Sequence, residues 1–329
     1  MSEKTRLPRL SLGCLGGTVS MQPASPGKGI TPSLEGDDLL AAIPQLAALA
    51  EITSVTLCLL PSASLTFQIM LDVLAWARCE VERGAQAVVL TQGTDTLEES
   101  AYLLDRLWPY DIPLVMTGAM RAASQPGNDG PANLLAAVQV ALSINSHGRG
   151  VLVVINDQIH QAAHVRKTAS MAMAAFQSPG CGLEGCVVEG RVLYRCSAAP
   201  RRVLAPPQRC DQRVALIEAC LDADIALLET IPALGYEGLV VAGFGAGHVS
   251  AAWSEALARI ARDMPVIVAS RTGCGPTADA TYGFVGAEID LQAKGVYMAG
   301  MLCPRKCRVL LWLLIGQSNP VVLPDWLAH

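Results

Sequence analysis

The sequence predicts an α/β protein of two domains. The larger, N-terminal domain is a parallel sheet with covering helices, and the C-terminal α/β domain is smaller. Three observations predict it. The chain has 329 residues, too many for one ordinary core and comfortable for two. Apolar runs of strand length alternate with longer stretches of helical period, the pattern of a parallel sheet buried on both faces. The alternation stops at "CSAAPRRVLAPPQRCDQR", a proline- and arginine-rich stretch without periodicity, and then resumes. The expected division is residues 1–195, a linker over 196–213, and residues 214–329.

The elements follow in order. Strands are expected at residues 9–14, 54–59, 85–90, 113–117 and 150–155, each apolar almost throughout. Helices are expected between them at 36–49, 65–83, 97–107 and 131–144, where apolar residues recur every three or four positions. "VVEGRVLY" reads as two strands joined by a turn. Beyond the linker, strands are expected at 214–217, 238–243 and 265–270, with helices near 220–228, 250–262 and 304–314. No internal repeat or low-complexity tract interrupts the series.

Composition removes several classes of function. Hydrophobic residues make up 51% of the chain, much of it alanine, and charged residues 16%. No apolar stretch approaches the ~18 residues of a membrane-spanning helix. The net charge of -5 argues against nucleic acid or an anionic membrane as partner. Lys4, Arg6 and Arg9 precede an apolar run that is short and broken by glycines, so it reads as a first strand rather than a secretion signal. Eleven cysteines, an odd number without a regular framework, read as buried thiols of a reducing cytoplasm. "IHQAAH" and "CPRKC" have metal-like spacings but never the two-plus-two pattern of a structural zinc site, so no metal and no cofactor is expected.

Ligands of open parallel sheets sit at the carboxyl ends of the strands. Those ends read "LGGTVS", "LPSAS", "LTQGTDT", "TGAMR" and "INDQ", with "GFGAGHVS" in the second domain. Two of them carry glycine followed by threonine. Helix capping by Asp95 or Thr96 accounts for one such end but not for both. A threonine hydroxyl needs a base, or a lysine that has lost its proton, to become a nucleophile. Lysine is scarce here, and Lys167 in "HVRKTAS" follows a strand of the same domain.

Together these segments resemble the bacterial-type L-asparaginase/glutaminase family. "GGTVSM" is similar to its first threonine motif and "VVLTQGTDTLEESAYLLD" to its second. "PLVMTGAMR", "NDGPANLLAAV", "VLVVINDQIHQAAHVRKT", "FQSP", "YGFV" and "LCPRKCRVLL" extend the resemblance over nearly the whole chain. The resemblance implies an amidohydrolase that converts L-asparagine to L-aspartate and ammonia, without a cofactor. It implies Thr18 as nucleophile, Thr94, Asp95 and Lys167 as a second catalytic group, and Ser62 as holder of the substrate α-carboxylate. Asp95 would also receive the α-ammonium. Gly17 and Gly93, which shape the two threonine turns, would bind substrate together with Ser62, Thr94, Asp95 and Ala119. Backbone amides near Thr94 and Ala119 would stabilise the oxyanion. The segment 19–36, with Val19, Ser20, Met21, Gly27 and Gly29, would be a lid with little hydrophobic anchoring.

A homo-oligomer, a dimer of dimers, is implied as well, with a small amino-acid amide as substrate. The chain departs from the family pattern at several points. Residues 19–36 hold no tyrosine, and Ala63 stands where the family has a substrate-contacting glutamine. Ala246 or His248 occupies the place of an asparagine lent by a neighbouring subunit, and Asp279 or Glu288 that of a lent glutamate. Glutamine, a D-isomer or another small amide therefore stands as an alternative substrate, and amino-acid binding without turnover as an alternative activity.

Overall fold

The computed structural model describes residues 6–23, 29–317 and 322–327. The chain divides into two compact units, Met1–Leu204 and Ala205–His329.

An eight-stranded sheet organises the first unit. Five strands run parallel, in the spatial order Glu51–Thr56, Arg9–Cys14, Ala87–Thr91, Leu114–Thr117 and Val151–Ile155. The first strand in sequence thus lies between the second and the third. The connection after Arg9–Cys14 leads to Glu51–Thr56 on one side and that after Ala87–Thr91 to Leu114–Thr117 on the other, and the crevice this opens lies at the carboxyl ends of these two neighbouring strands. Three further strands extend the sheet in antiparallel fashion through Gln158–Gln161, Gly185–Val188 and Arg191–Tyr194.

The strand residues explain the sheet. All five residues of Ala87–Thr91 and of Val151–Ile155 are buried, as strands covered on both faces must be. Leu10, Leu12 and Cys14 point to one face, where Val89, Val115, Leu152 and Val154 join Leu134, Ala137 and Val138 of the Gly130–Leu142 helix. On the other face Gly13 leaves room for an indole: a Cβ there would lie 2.7 Å from the Trp76 ring. "VVEGRVLY" forms the expected hairpin, with Glu189 and Gly190 both at positive φ, 51° and 73°.

Several expectations need correction. Helix 36–49 is interrupted: Gly36–Ala41 is helical, and a separate 3-10 turn spans Pro44–Ala48. Pro44 has no N–H to continue the ladder, so it starts a new turn instead. The second strand begins earlier than expected, at Glu51, because it pairs residue for residue with Arg9–Cys14. "INDQ" is no open strand end. Asn156 and Asp157 take φ of 53° and 56° and turn the chain straight into Gln158–Gln161, a hairpin the sequence reading missed. Thiols are less buried than expected: Cys14, Cys303 and Cys307 are buried, but Cys181, Cys196, Cys210, Cys220 and Cys274 are exposed.

The second unit holds four parallel strands in chain order, Val214–Glu218, Gly238–Gly243, Val266–Ser270 and Tyr297–Met298. Trp253, Leu257 and Ile260 of the Ala251–Ile260 helix pack on Leu239, Val241 and Val268. Gly238 admits Leu311 of the Pro304–Ile315 helix, which buries Cys307 completely. The helix expected at 220–228 shrinks to Ala226–Thr230. Asp222 sits at a left-handed φ of 57°, and the Asp224 carboxylate accepts the Ala226 N–H at 2.8 Å, so the helix starts only there.

Candidate active site

Two turns at the crevice bring the predicted residues together. After Arg9–Cys14 the Leu15 N–H donates to Thr91 O at 2.9 Å, which ties the first turn to the end of the third parallel strand. Gly17 then takes φ 81°, ψ -175°, a conformation open only to glycine. A Cβ on Gly17 would lie 2.1 Å from the Gly93 nitrogen, so the two main chains are in contact. Thr18 follows directly and opens the 3-10 turn Thr18–Ser20. It is half-buried, and no described residue hydrogen-bonds its hydroxyl.

The second turn carries a dense polar network. Lys167 Nζ donates to Thr94 Oγ1 at 2.9 Å and to Asp95 Oδ1 at 2.8 Å. Thr94 is 5% exposed, whereas the Asp95 side chain is 66% exposed. The hydroxyl is therefore desolvated while the carboxylate looks outward. Lys167 comes from the short strand Arg166–Lys167, which pairs with Phe176–Gln177. The Asp95 N–H donates to Ser62 Oγ at 3.1 Å, and Ser62 is buried. Gly93 sits against that serine: a Cβ there would lie 2.8 Å from Ser62 Oγ. Ala119 is buried beside the same turn, because Gln92 N–H donates to Thr117 O at 2.9 Å and a Cβ on Gly118 would meet Gln92 O at 2.5 Å.

Three participants escaped the sequence reading. Thr96 was expected as a helix cap. It makes no capping hydrogen bond, and its hydroxyl donates to Ser62 O at 3.0 Å. Buried Gln92 donates through Nε2 to Thr96 Oγ1 at 3.3 Å and so continues the chain of contacts. Glu98 is one of two acids, with Glu99, in the first turn of the Leu97–Leu107 helix. It is buried, and its carboxylate accepts the Lys167 main-chain N–H at 2.6 Å. Only its position on the inward face of the Leu97–Leu107 helix separates it from half-buried Glu99.

The segment after Thr18 is better anchored than its composition suggested. Val19 is 4% exposed and belongs to the main core, Ser20 is buried, and the Ser20 carbonyl accepts N–H groups of Ser33 and Leu34. Half-buried Met21 starts a strand to Pro23 that pairs with Ile30–Pro32. Gly29 is exposed with open space around it, and Gly27 lies outside the described residues.

Ala246 and His248 belong to the second unit. The Ala246 carbonyl accepts the Ala278 N–H at 2.8 Å. His248 Nε2 lies 3.4 Å from Glu288 Oε2, under the edges of the Tyr282 and Phe284 rings. Glu288 is fully buried, and its other oxygen accepts the main-chain N–H groups of Thr281 and Tyr282 at 2.6 and 2.5 Å. Burial pushes this carboxyl up, but those N–H groups and nearby His248 outweigh it and hold the group below the ordinary value. Glu288 is thus occupied within its own unit, while Asp279 is exposed.

In the metal-like spacing of "IHQAAH", His160 has a structural partner. His160 Nδ1 shares a 2.9 Å hydrogen bond with Ser178 Oγ. Among the described residues no three His, Cys, Asp or Glu side chains converge to hold a metal ion. No described helix is long and apolar enough to cross a membrane.

Comparison with known proteins shows the family. Residues 9–199 match the family model described as asparaginase, N-terminal, and residues 213–321 match the glutaminase/asparaginase C-terminal domain. The chain is 33% identical to a Haemophilus influenzae protein named probable L-asparaginase periplasmic, over 97% of this chain and 92% of that protein. It is 34% identical to a probable L-asparaginase of Deinococcus radiodurans, over 94% of each. The crystal structure of a probable cytoplasmic L-asparaginase from Campylobacter jejuni superposes with a TM-score of 0.85 at 30% identity, covering 95% of this chain and 97% of that one. With both family models matched in chain order and the two glycine–threonine turns in contact, the chain belongs to the asparaginase family of amidohydrolases.

Proposed function

We propose that the protein hydrolyses L-asparagine to L-aspartate and ammonia. The observation that carries this reading is the Lys167 ammonium group, held 2.9 Å from the Thr94 hydroxyl and 2.8 Å from the Asp95 carboxylate. In this reading Thr18 Oγ1 attacks the carbon of the side-chain amide. The C–N bond breaks, the hydroxyl proton ends on the departing ammonia, and an ester to Thr18 remains. Water then cleaves the ester, releasing aspartate and restoring the hydroxyl. Lys167 keeps the Thr94 hydroxyl polarised, and main-chain N–H groups at Thr94 and Ala119 face the developing oxyanion. Ser62 receives the substrate α-carboxylate and Asp95 its α-ammonium. A free amino acid fits because each of its charges meets a partner, and a charge left unpaired in a desolvated site costs several kcal/mol.

Residues 1–195 form the catalytic domain in this reading, 196–213 the linker, and 214–329 the second domain. Within the segment 19–36, the residues beyond buried Val19 and Ser20 serve as the lid. Ala246 and His248 face a neighbouring subunit in a dimer of dimers, which sedimentation would show. The protein is cytoplasmic in this reading, to be checked by fractionation. No nucleic acid, membrane or cofactor takes part.

The test is ammonia release from L-asparagine by the wild type and by Thr18→Ala and Thr94→Val. Each substitution is expected to lower kcat by on the order of 10³-fold. Wild-type turnover by either variant removes that residue from the mechanism. One observation favours a broader substrate range: Ala63, next to buried Ser62, is exposed and offers only a methyl group at the rim. Equal kcat/KM for asparagine and glutamine would establish that reading. Aspartate binding without turnover of any amide would make the protein a binding homologue.

A further inference from the structure

We infer that Asp129 and Asn133 are positioning residues, which fix the Gly118–Arg121 main chain and so aim the Ala119 N–H at the reacting carbonyl. The inference rests on the oxyanion role given to Ala119 above.

Asp129 stands at the N-cap of the Gly130–Leu142 helix, where an aspartate normally accepts N–H groups of its own helix. It makes no such bond. Its carboxylate turns away to the loop after Leu114–Thr117. There it accepts the Met120 N–H at 3.0 Å and the Arg121 N–H at 2.9 Å. Asn133, one helical turn on, is 3% exposed and uses both ends of its amide. Nδ2 donates to Gly118 O at 2.9 Å and to Asp129 Oδ2 at 2.9 Å. Oδ1 accepts the Asn156 N–H at 2.8 Å, from the turn that follows the neighbouring strand Val151–Ile155. The bonded set leaves one amide orientation, since the donor end faces a carbonyl and a carboxylate and the acceptor end an N–H.

Main-chain groups on both sides of Ala119 are therefore held by two side chains: the carbonyl of Gly118 before it and the N–H groups of Met120 and Arg121 after it. The Gly118–Ala119 peptide, which carries both that carbonyl and the Ala119 N–H, cannot rotate without breaking the Asn133 bond, nor the following peptides without breaking the Asp129 bonds. On its other side the loop rests against Gln92 O, and a Cβ on Gly118 would lie 3.4 Å from Thr94 Cγ2. The orientation of the Ala119 N–H relative to Thr94 is thus set by a carboxylate and an amide that do not touch the reacting atoms. An oxyanion donor strengthens its bond only as charge develops, so its misalignment falls on kcat more than on KM.

The experiment combines kinetics with hydrogen exchange. Asn133→Asp keeps an acceptor for Asn156 but offers Gly118 no donor. Asp129→Ala frees both N–H groups. Each is expected to lower kcat for asparagine by on the order of 10²-fold, the scale of a misplaced catalytic group, with KM changed less than about threefold. Main-chain amides of residues 119–121 should exchange faster in both. Asp129→Asn retains a carbonyl acceptor and should recover at least about tenfold in kcat over Asp129→Ala. It also serves if the alanine variant does not fold. A wild-type kcat in Asp129→Ala with faster exchange or lowered Tm overturns the inference, because the residues would then act on stability alone. Unchanged exchange overturns it too. If the wild type itself releases no ammonia, the proposed function fails, and the exchange data still decide whether these side chains fix the loop.

Discussion

Lys167 is the residue on which the proposed chemistry turns. Its ammonium group bridges a buried hydroxyl and an exposed carboxylate, and its main-chain N–H is held at 2.6 Å by Glu98. The lysine is therefore fixed at both ends of its side chain. Lys167→Met preserves length and packing but removes the charge and the donors. It is expected to lower kcat by about 10³-fold, the upper-middle range for a positioned proton-transferring group, while the far-ultraviolet spectrum stays unchanged. Steady-state ammonia assays beside circular dichroism check both halves. Neighbouring Arg166 offers no substitute, because alternate residues of a strand point to opposite faces.

Main-chain geometry of the two threonine turns belongs to the scale of elements. Gly17→Ala is strained twice: by a φ of 81° with ψ near 180°, and by a Cβ 2.1 Å from the Gly93 nitrogen. The turn would have to open. A destabilisation of about 2–4 kcal/mol, with loss of amidase activity, is the expected outcome and is measurable by urea unfolding. Much of this was legible in the sequence. The first strand, the Leu97–Leu107 helix and the Gly238–Gly243 strand appear at the residues expected, because apolar period and flanking glycines agree there. Ser62, the adjacent pair Thr94 and Asp95, and Lys167 come from three separated segments of the chain and do meet. What stayed hidden depends on tertiary partners. Glu98 and Glu99 are chemically alike, and only the helix face sends one inward. Thr96 makes no capping hydrogen bond, because its hydroxyl donates to Ser62 O and its oxygen accepts from Gln92 Nε2 instead of from the helix. The Asn156–Asp157 hairpin stayed hidden because its left-handed turn lacks glycine and its second strand, Gln158–Gln161, is too polar to read as an apolar run.

At the scale of the molecule, the first unit includes part of the irregular stretch that follows its sheet. Arg201 Nη1 donates to Asp105 Oδ1 at 2.9 Å, and Nη2 to Trp108 O at 3.2 Å. Asp105 in turn accepts the Val151 N–H at 3.1 Å. One buried carboxylate thus joins a helix end, a central strand and the chain leaving the sheet. Arg201→Met removes charge-assisted hydrogen bonds but leaves Asp105 paired with Arg106. A loss of about 2 kcal/mol is expected by chemical denaturation, with kcat and KM for asparagine unchanged, since none of these groups belongs to the polar network around Thr94.

The contact between Gly17 and Gly93 has a consequence for anyone transplanting loops among relatives. Two segments more than seventy residues apart in sequence share a single steric boundary. A loop graft that alters one flank of that boundary collides with, or separates from, the old flank. Chimeras that exchange both threonine turns as a matched pair should fold, whereas single exchanges should accumulate as insoluble chain. For protein engineering, the unit of inheritance at this site is the pair.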